Sequence, residues 1–211
     1  MERIKIIGVD ISVVNFNSAQ KYLFDNFEEA RGHYICAANV HTTVTAHENS
    51  NYREVQNNSF MTLPDGKPLS VVGKKRGKSS MGRVTGPDFL EEVLKRTENT
   101  EVKHYFYGTT QENLDSFISA VKKSYPNLKI VGVEPSVFRS LTVKEEDELL
   151  ERISESEADF VWIALEHQDR KFFAINYQVD LMRYGWQLEV RLNVISGVIP
   201  RSTAVGARSW S

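Results

Sequence analysis

Along the chain, runs rich in Ile, Val, Tyr and Phe alternate with segments whose apolar residues recur every three or four positions. That alternation is the pattern of an α/β sheet with crossover helices. Ile4 to Val9 reads as the first strand. Asn17 then reads as an N-cap with Gln20 at the third helical position, and Ala19, Leu23 and Phe27 recur every four residues to form a buried stripe. Tyr34 to Ala38 is a second strand. The stretch from Asn39 to His47 mixes polar residues with Val40, Val44 and Ala46, as expected where a strand end turns into a helix at a site.

Farther on the signals are stronger. Gly86-Pro87-Asp88 predicts a helix start, because Pro is tolerated at the first helical position and an acid there faces the positive end of the dipole. Phe89, Leu90, Val93 and Leu94 supply its core face. Lys103 to Tyr107 reads as a strand, broken by Gly108 and followed by Thr109 and Glu112 at capping-box spacing. Leu114, Phe117, Ile118 and Val121 give that helix its stripe, and Pro126 ends it. Lys129 to Val133 is the next strand, Thr142 with Glu145 caps a helix carrying Leu149, Leu150 and Ile153, and Asp159 to Ala164 is a buried strand. The order from Lys103 to Ala164 is therefore βαβαβ, a Rossmann-like unit that would hold a nucleotide at its strand ends. The expected architecture is a single α/β domain with a mostly parallel sheet flanked by helices. Its core occupies residues 1–164. Residues 165–211 diverge: Ala174 to Arg183 lacks a clean period, and Ser202 to Ser211 is small and polar with neither cap nor apolar stripe, so weak order is expected there.

Composition narrows the setting. The 211 residues carry a net charge of −2 and are 41% hydrophobic, ordinary for a globular chain. That balance gives no electrostatic argument for nucleic acid. Locally, Lys67, Lys74, Lys75, Arg76, Lys78 and Arg83 occur with no acid among them, whereas residues 144–157 are dominated by Glu and Asp, which predicts a basic patch and an acidic helix. One cysteine, Cys36, leaves no partner for an intrachain disulfide, and Lys5 and Asp10 interrupt the first apolar run, so no leader peptide is read. A reducing cytoplasmic location fits. No apolar stretch approaches the roughly 18–20 residues that span a bilayer, so any membrane contact is expected to be peripheral.

Several motifs invite chemical readings. Gly73-Lys74-Lys75-Arg76-Gly77-Lys78-Ser79 has three residues between its glycines where a P-loop needs four, and reads as a solvated basic loop or as a neighbour of a diphosphate. Tyr107-Gly108-Thr109-Thr110 is either a phosphate or ribose contact at a helix start or an ordinary tight turn. His41 and His47 share no helix face and join no Cys/His cluster, and there is no Asp-x-Asp pair to hold a divalent ion, so no metal or other cofactor is expected. No Gly-x-Gly-x-x-Gly follows a strand, which argues against a nicotinamide enzyme. Asp65, between Pro64 and Gly66, taken alone reads more readily as a turn residue than as a catalyst.

Three segments taken together change that weighting: Ala38-Asn39-Val40-His41-Thr42-Thr43-Val44-Thr45-Ala46, Leu63-Pro64-Asp65-Gly66-Lys67-Pro68 and Arg83-Val84-Thr85-Gly86-Pro87-Asp88. In this order and spacing they resemble the WecG/TagA/CpsF family of bacterial glycosyltransferases, glycosyltransferase family 26. A fourth stretch, Tyr105 to Gly108 with Tyr125 to Gly132, fits as well, and the resemblance covers about residues 4–163. It implies an inverting, metal-independent hexosyltransferase. The enzyme would move an N-acetylmannosamine-type sugar from a UDP-sugar donor to a polyprenyl-diphosphate-linked N-acetylglucosamine, in teichoic acid, common-antigen or capsule polysaccharide biosynthesis for the cell wall or surface. The resemblance makes Asp65 the catalytic base, Asn39 a donor contact, Arg83 a counter-charge to the diphosphate and Thr42 and Thr43 pocket residues. Gly86, Asp88, Gly108 and Gln168 join them as substrate-binding candidates. It also implies a lipid-linked acceptor at the inner face of the membrane and self-association.

The pattern breaks after the last Rossmann strand. Where the family carries Gly-x-Pro-Lys-Gln-Glu, this chain reads Ala164-Leu165-Glu166-His167-Gln168-Asp169, keeping only Gln168 with Asp169 as a conservative change. Val179-Asp180-Leu181-Met182 and Ile195-Ser196-Gly197-Val198-Ile199-Pro200-Arg201 are similar to the family's next strand and its Ser-Gly-x-Ile-x-Arg segment. Beyond Arg201 the resemblance stops, so the family's basic, aromatic C-terminal appendage is expected to be missing. These departures raise two expectations beside an active transferase: a decaying copy that only binds nucleotide-sugar, or a shortened transferase completed by a partner.

Overall fold

A computed structural model describes residues 1–164, apart from 138 and 140, together with residues 189–192. It opens with an antiparallel hairpin of β1 (Arg3–Ile6) and β2 (Val9–Ser12). The single strand expected over Ile4 to Val9 is thus broken. Ile7 and Gly8 both take positive φ, 42° and 97°, which closes a two-residue turn matched to the strand twist. The hairpin stays out of the main sheet and covers one of its edges, with the Ser12 hydroxyl accepting the Thr62 N–H at 3.0 Å.

Helix α1 (Phe16–Asp25) keeps the predicted Ala19 and Leu23 stripe but begins earlier than expected. Asn15, not Asn17, is the cap: Asn15 Oδ1 accepts the Ser18 N–H, and Ser18 Oγ accepts the Asn15 N–H. Phe27 opens a separate short helix, α2 (Phe27–Ala30). There follow β3 (His33–Ala38), α3 (Val40–Glu48), α4 (Ser50–Asn57), β4 (Met61–Pro64), α5 (Lys67–Lys75) and α6 (Gly86–Thr97). The Gly73–Ser79 segment therefore begins as the end of a helix rather than as a phosphate loop. Gly73 is required where α5 meets Met81, since a Cβ there would lie 2.0 Å from the sulfur.

The βαβαβ unit is β5 (Lys103–Gly108), α7 (Gln111–Ser124), β6 (Lys129–Glu134), α8 (Val143–Glu155) and β7 (Phe160–Ala164). All three strands are parallel with β5 in the middle. Thr142 and Glu145 form the predicted capping box of α8. At α7 the cap is Thr110 rather than Thr109, because Thr109 sits at φ 49° and a cap residue needs extended backbone.

A last strand, β8 (Glu189–Leu192), enters the sheet antiparallel between β3 and β7, giving the order β4-β3-β8-β7-β5-β6. The five other strands run in one direction, as the mostly parallel expectation required, and β8 joins the two parallel groups. Side chains alternate across the sheet. His104, Phe106, Phe160 and Trp162 meet α1, α6 and α7 on one face, while Tyr105, Tyr107, Val161 and Ile163 meet α8 on the other. Trp162, Phe160 and Phe89 are almost fully enclosed, each contributing roughly 1.5–3 kcal/mol of burial. A third cluster ties the hairpin to α3, α4 and α5 through Ile6, Val9, Ile11, Ala46, Tyr52 and Leu69.

Candidate active site at the carboxyl ends of the strands

Because β3, β4, β5 and β7 run parallel, the residues that follow them emerge at one end of the sheet, where open α/β sheets bind ligands. Asn39 follows β3 and Asp65 follows β4. The two lie side by side: Asp65 N–H donates to Ala38 O at 2.9 Å, and a Cβ on Gly66 would rest 3.6 Å from the Asn39 Cα. The Arg83–Asp88 segment closes over them. Val84 N–H donates to Pro64 O at 3.0 Å, and Arg83 Nε donates to the Asp65 backbone carbonyl at 2.9 Å.

This arrangement holds Asp65 by its main chain and leaves its carboxyl group for other work. Partial burial pushes that carboxyl above the ordinary aspartate value. The Gly86 N–H and the Arg83 charge pull it back, and the nearby Asp88 charge adds to the rise. A carboxylate made more basic, with one cation and one amide beside it, is suited to take a proton from a hydroxyl.

Each remaining predicted residue has a definite place. Asn39 caps α3, its Oδ1 accepting the Thr42 N–H at 3.0 Å while the Thr42 hydroxyl accepts the Asn39 N–H at 3.0 Å. The Thr43 hydroxyl donates to Asn39 O at 2.6 Å. Thr42 and Thr43 are buried, so their hydroxyls brace the strand-to-helix turn. Gly86 and Asp88 form the first turn of α6, where Asp88 N–H donates to the Thr85 hydroxyl at 3.1 Å. Arg83 and Asp88 are exposed at the rim. Helix α5 starts next to Asp65 with Gly66 as its cap residue and no side chain capping it; Pro68 has no N–H and the Leu69 N–H donates to Gly66 O at 3.0 Å, so the Lys67 N–H is the amide its first turn leaves for this end of the sheet.

Gly108 ends β5 at the same end of the sheet but three strands from β3, about 14 Å away in sheet spacing. Its φ of 124° and its contact with β7 require glycine there. Around it stand Thr109, already a candidate from the sequence, and two groups that were not, Asn113 and Ser136. Thr109 N–H donates to Ala164 O at 2.7 Å, Asn113 Nδ2 donates to the Thr109 hydroxyl at 3.1 Å, and Ser136 N–H donates to Thr109 O at 3.0 Å. Thr109 has a left-handed backbone without being glycine, a feature that leaves no mark in sequence, whereas Ser136 could have been found by its place just after β6. Gln168 and the other motif residues after Ala164 lie outside the described residues. Among the described residues no three His, Cys, Asp or Glu side chains gather as metal ligands, and no helix is long and apolar enough to cross a membrane.

The sequence profile of the glycosyl transferase WecG/TagA/CpsF family matches residues 4–205, running past the point where the separate motifs fade. The N-acetylglucosaminyldiphosphoundecaprenol N-acetyl-beta-D-mannosaminyltransferase of Bacillus spizizenii (strain ATCC 23059 / NRRL B-14472 / W23) is 26% identical over 170 residues, 81% of this chain and 63% of the relative. The protein of the same name from Bacillus subtilis (strain 168) is 23% identical over 165 residues, 78% of this chain and 62% of the relative. The chain thus spans less than two thirds of the length of these relatives. With the family profile matched along nearly its whole length and the family's Asn39, Asp65 and Arg83 segments assembled at one end of a Rossmann-like sheet, the chain belongs to the WecG/TagA/CpsF family of glycosyl transferases.

Proposed function

We propose that the protein transfers an N-acetylmannosamine-type sugar from a UDP donor to a polyprenyl-diphosphate-linked N-acetylglucosamine, with inversion at the anomeric carbon and without a metal. The observation that carries this reading is Asp65, a carboxyl group made more basic by burial and braced by Arg83 at the strand ends. The relatives' names supply the sugar and the lipid diphosphate.

In the proposed reaction the acceptor hydroxyl oxygen bonds to the anomeric carbon as the bond from that carbon to the UDP phosphate oxygen breaks. The hydroxyl proton passes to the Asp65 carboxylate. The bonding pair leaves with UDP, whose growing negative charge meets Arg83 and the Lys67 amide at the start of α5. Attack from the face opposite the leaving group gives inversion. Asn39 would act by fixing the turn that sets Asp65 and would offer its Nδ2 to the donor. The Gly108–Ser136 cluster is the place for the nucleoside, and Gln168 completes the set in this reading. Catalysis would take place at the inner face of the membrane, with self-association as in the family resemblance. Residues 165–211 would act as a divergent extension of the 1–164 core.

The test is to incubate the protein with UDP-N-acetylmannosamine and a lipid-linked N-acetylglucosamine acceptor, beside Asp65→Asn. Product from the parent and a loss of about 10²–10⁴-fold in the variant are expected for removal of a general base. Equal rates would refute the role of Asp65. No product from either protein, with UDP-sugar still bound, would make the chain a nucleotide-sugar-binding remnant.

A further inference from the structure

Helices α3 and α5 both start at the candidate site and run away from it, and both turn their buried sides to the cluster shared with the β1–β2 hairpin. Their outward stripes lie opposite that cluster. On α3 the exposed stripe is Val40, His41, Val44, His47 and Glu48, and on α5 it is Lys67, Pro68, Val71, Lys74 and Lys75. The hairpin links their far ends, through His47 Nδ1 and Ile7 O at 3.0 Å and through Arg76 donating to Lys5 O at 2.7 Å. Ile7, at the hairpin tip, is 45% exposed, and Val40, Val44 and Val71 are 47%, 41% and 39% exposed. Half of the large hydrophobic residues that stand exposed among the described residues are therefore on this one layer.

The charges of the same two stripes are positive apart from Glu48. Arg76 is held by the Lys5 carbonyl and Lys78 by Glu2, but Lys67, Lys74 and Lys75 form no salt bridge among the described residues. On the same face of the sheet, over β5 and β7, α8 carries Glu146, Asp147, Glu151 and Glu155, which confines contact with an anionic surface to the α3–α5 end of that face.

We propose that the outer face of α3, α5 and the hairpin tip is a docking surface for an anionic lipid bilayer, with Val44, Val71 and Ile7 entering the headgroup layer and Lys74 and Lys75 pairing with lipid phosphates. Exposed β-branched residues among unpaired lysines fit the chemistry of an interfacial contact. A second copy of the chain is a poorer occupant, because a two-fold contact through this face would set the lysines of α5 against each other. The inference rests on the transferase reading for its purpose. Each helix has nine residues, about 14 Å of axis, so docking here would hold the mouth at Asn39 and Asp65 within one short helix of the headgroups, where a lipid-linked diphosphate resides.

The full chain would be sedimented with vesicles of phosphatidylglycerol and phosphatidylcholine, and with phosphatidylcholine alone. Binding to the anionic vesicles that fades with added salt is expected, with little on the neutral ones. Lys74→Glu/Lys75→Glu should partition on the order of 30-fold or more weakly. Val44→Glu/Val71→Glu should also lose binding, and Lys74→Gln/Lys75→Gln serves as a milder variant whose folding is checked by its melting curve. With a long polyprenyl acceptor in vesicles the charge-reversed variant should lose product formation, while with a short water-soluble acceptor it should match the parent. Equal vesicle binding by parent and folded variants would overturn the proposal. So would a change of subunit mass in Val44→Glu/Val71→Glu without a change in vesicle binding, which would make the face a contact between copies. Vesicle binding is read without any sugar transfer, so failure of the parent to act on the soluble acceptor would count against the transferase reading and leave the surface to be judged separately.

Discussion

His104 gives the most quantitative prediction. Its side chain lies between Trp162, whose Nε1–H donates to His104 Nδ1 at 2.9 Å, and the Thr97 hydroxyl, 2.9 Å from Nε2. Since Nδ1 accepts, the proton is on Nε2 and is donated to Thr97 Oγ1, whose own hydrogen goes to Val93 O at 2.7 Å. The imidazole is neutral, fully enclosed and stacked with Phe160 and Trp162. Burial lowers its pKa from 6.5 to about 3. The sign follows from which state takes up the proton first. Between 6.5 and about 3 the unfolded chain binds it and the folded chain does not, so the full stabilisation is present above 6.5 and is lost as pH falls through that window. The slope is about 1.4 kcal/mol per pH unit, or about 2 kcal/mol lost on going from pH 6.5 to 5. The carboxylates held below their ordinary values, among them Glu134 and Glu145, protonate in the unfolded chain mostly below this range. Urea unfolding at half-unit steps from pH 7 to 5 would measure the slope, with His104→Gln as a neutral comparison that keeps a donor and an acceptor. The parent should lose about 2 kcal/mol more than the variant over the interval. Parallel profiles would refute the assignment of a neutral, proton-excluding His104.

Three further predictions concern the site. Alanine at Gly108 would place a Cβ 1.8 Å from Ala164 O at a φ of 124°, so Gly108→Ala should lower Tm by about 6–12 °C, and a melting curve that overlays the parent's would contradict the close packing of β5 on β7. Asp65 titrates above its ordinary value of 3.8, so the acid limb of kcat/KM should lie above that value. The ionised form costs the folded state, so Asp65→Asn should melt no lower than the parent at neutral pH; a less stable variant would show that the carboxylate is a structural brace.

The helices of the βαβαβ unit were legible because each carries a cap and an apolar stripe within a few residues of one another. Thr142 with Glu145, and Leu149 with Ile153, are local signals that the fold then uses. Boundaries failed where two local choices competed, as at Asn15 against Asn17 and Thr110 against Thr109. In the second pair the backbone of Thr109 was decided by a contact with Ala164, far away in sequence. Strand β4 left little signal because its four residues are buried on both faces, which erases alternation, and because Thr62 is their only β-branched member and Pro64 is a residue that strands disfavour. Helix α5 was masked by its lysines. Strand β8 did leave a signal, the alternation of Leu188, Val190, Leu192 and Val194 with Glu189, Arg191 and Asn193, but it stood between the Val179–Met182 and Ile195–Arg201 segments, where the family pattern is interrupted. For the site itself, the segments were legible through resemblance, while the division of labour was not. Only the structure separates Asp65, with its carboxyl group open to chemistry, from Thr42 and Thr43, whose hydroxyls are committed to the turn.

The position of β8 also bears on how the two parts of the site are held together. Asn39 and Asp65 follow β3 and β4, whereas Gly108 and Ala164 end β5 and β7, and no ladder joins β3 directly to β7 among the described residues. Both pair with β8, which sets His33 and Phe160 across from Leu192, and Ile35 and Trp162 across from Val190. The spacing between the Asp65 side and the Gly108 side is thus fixed in the sheet by a strand from the C-terminal part of the chain. Being antiparallel, β8 begins at the end where β7 finishes, with Glu189 opposite Ile163. The chain that leaves Ala164 therefore departs from the site end and is delivered back to the same end at Glu189.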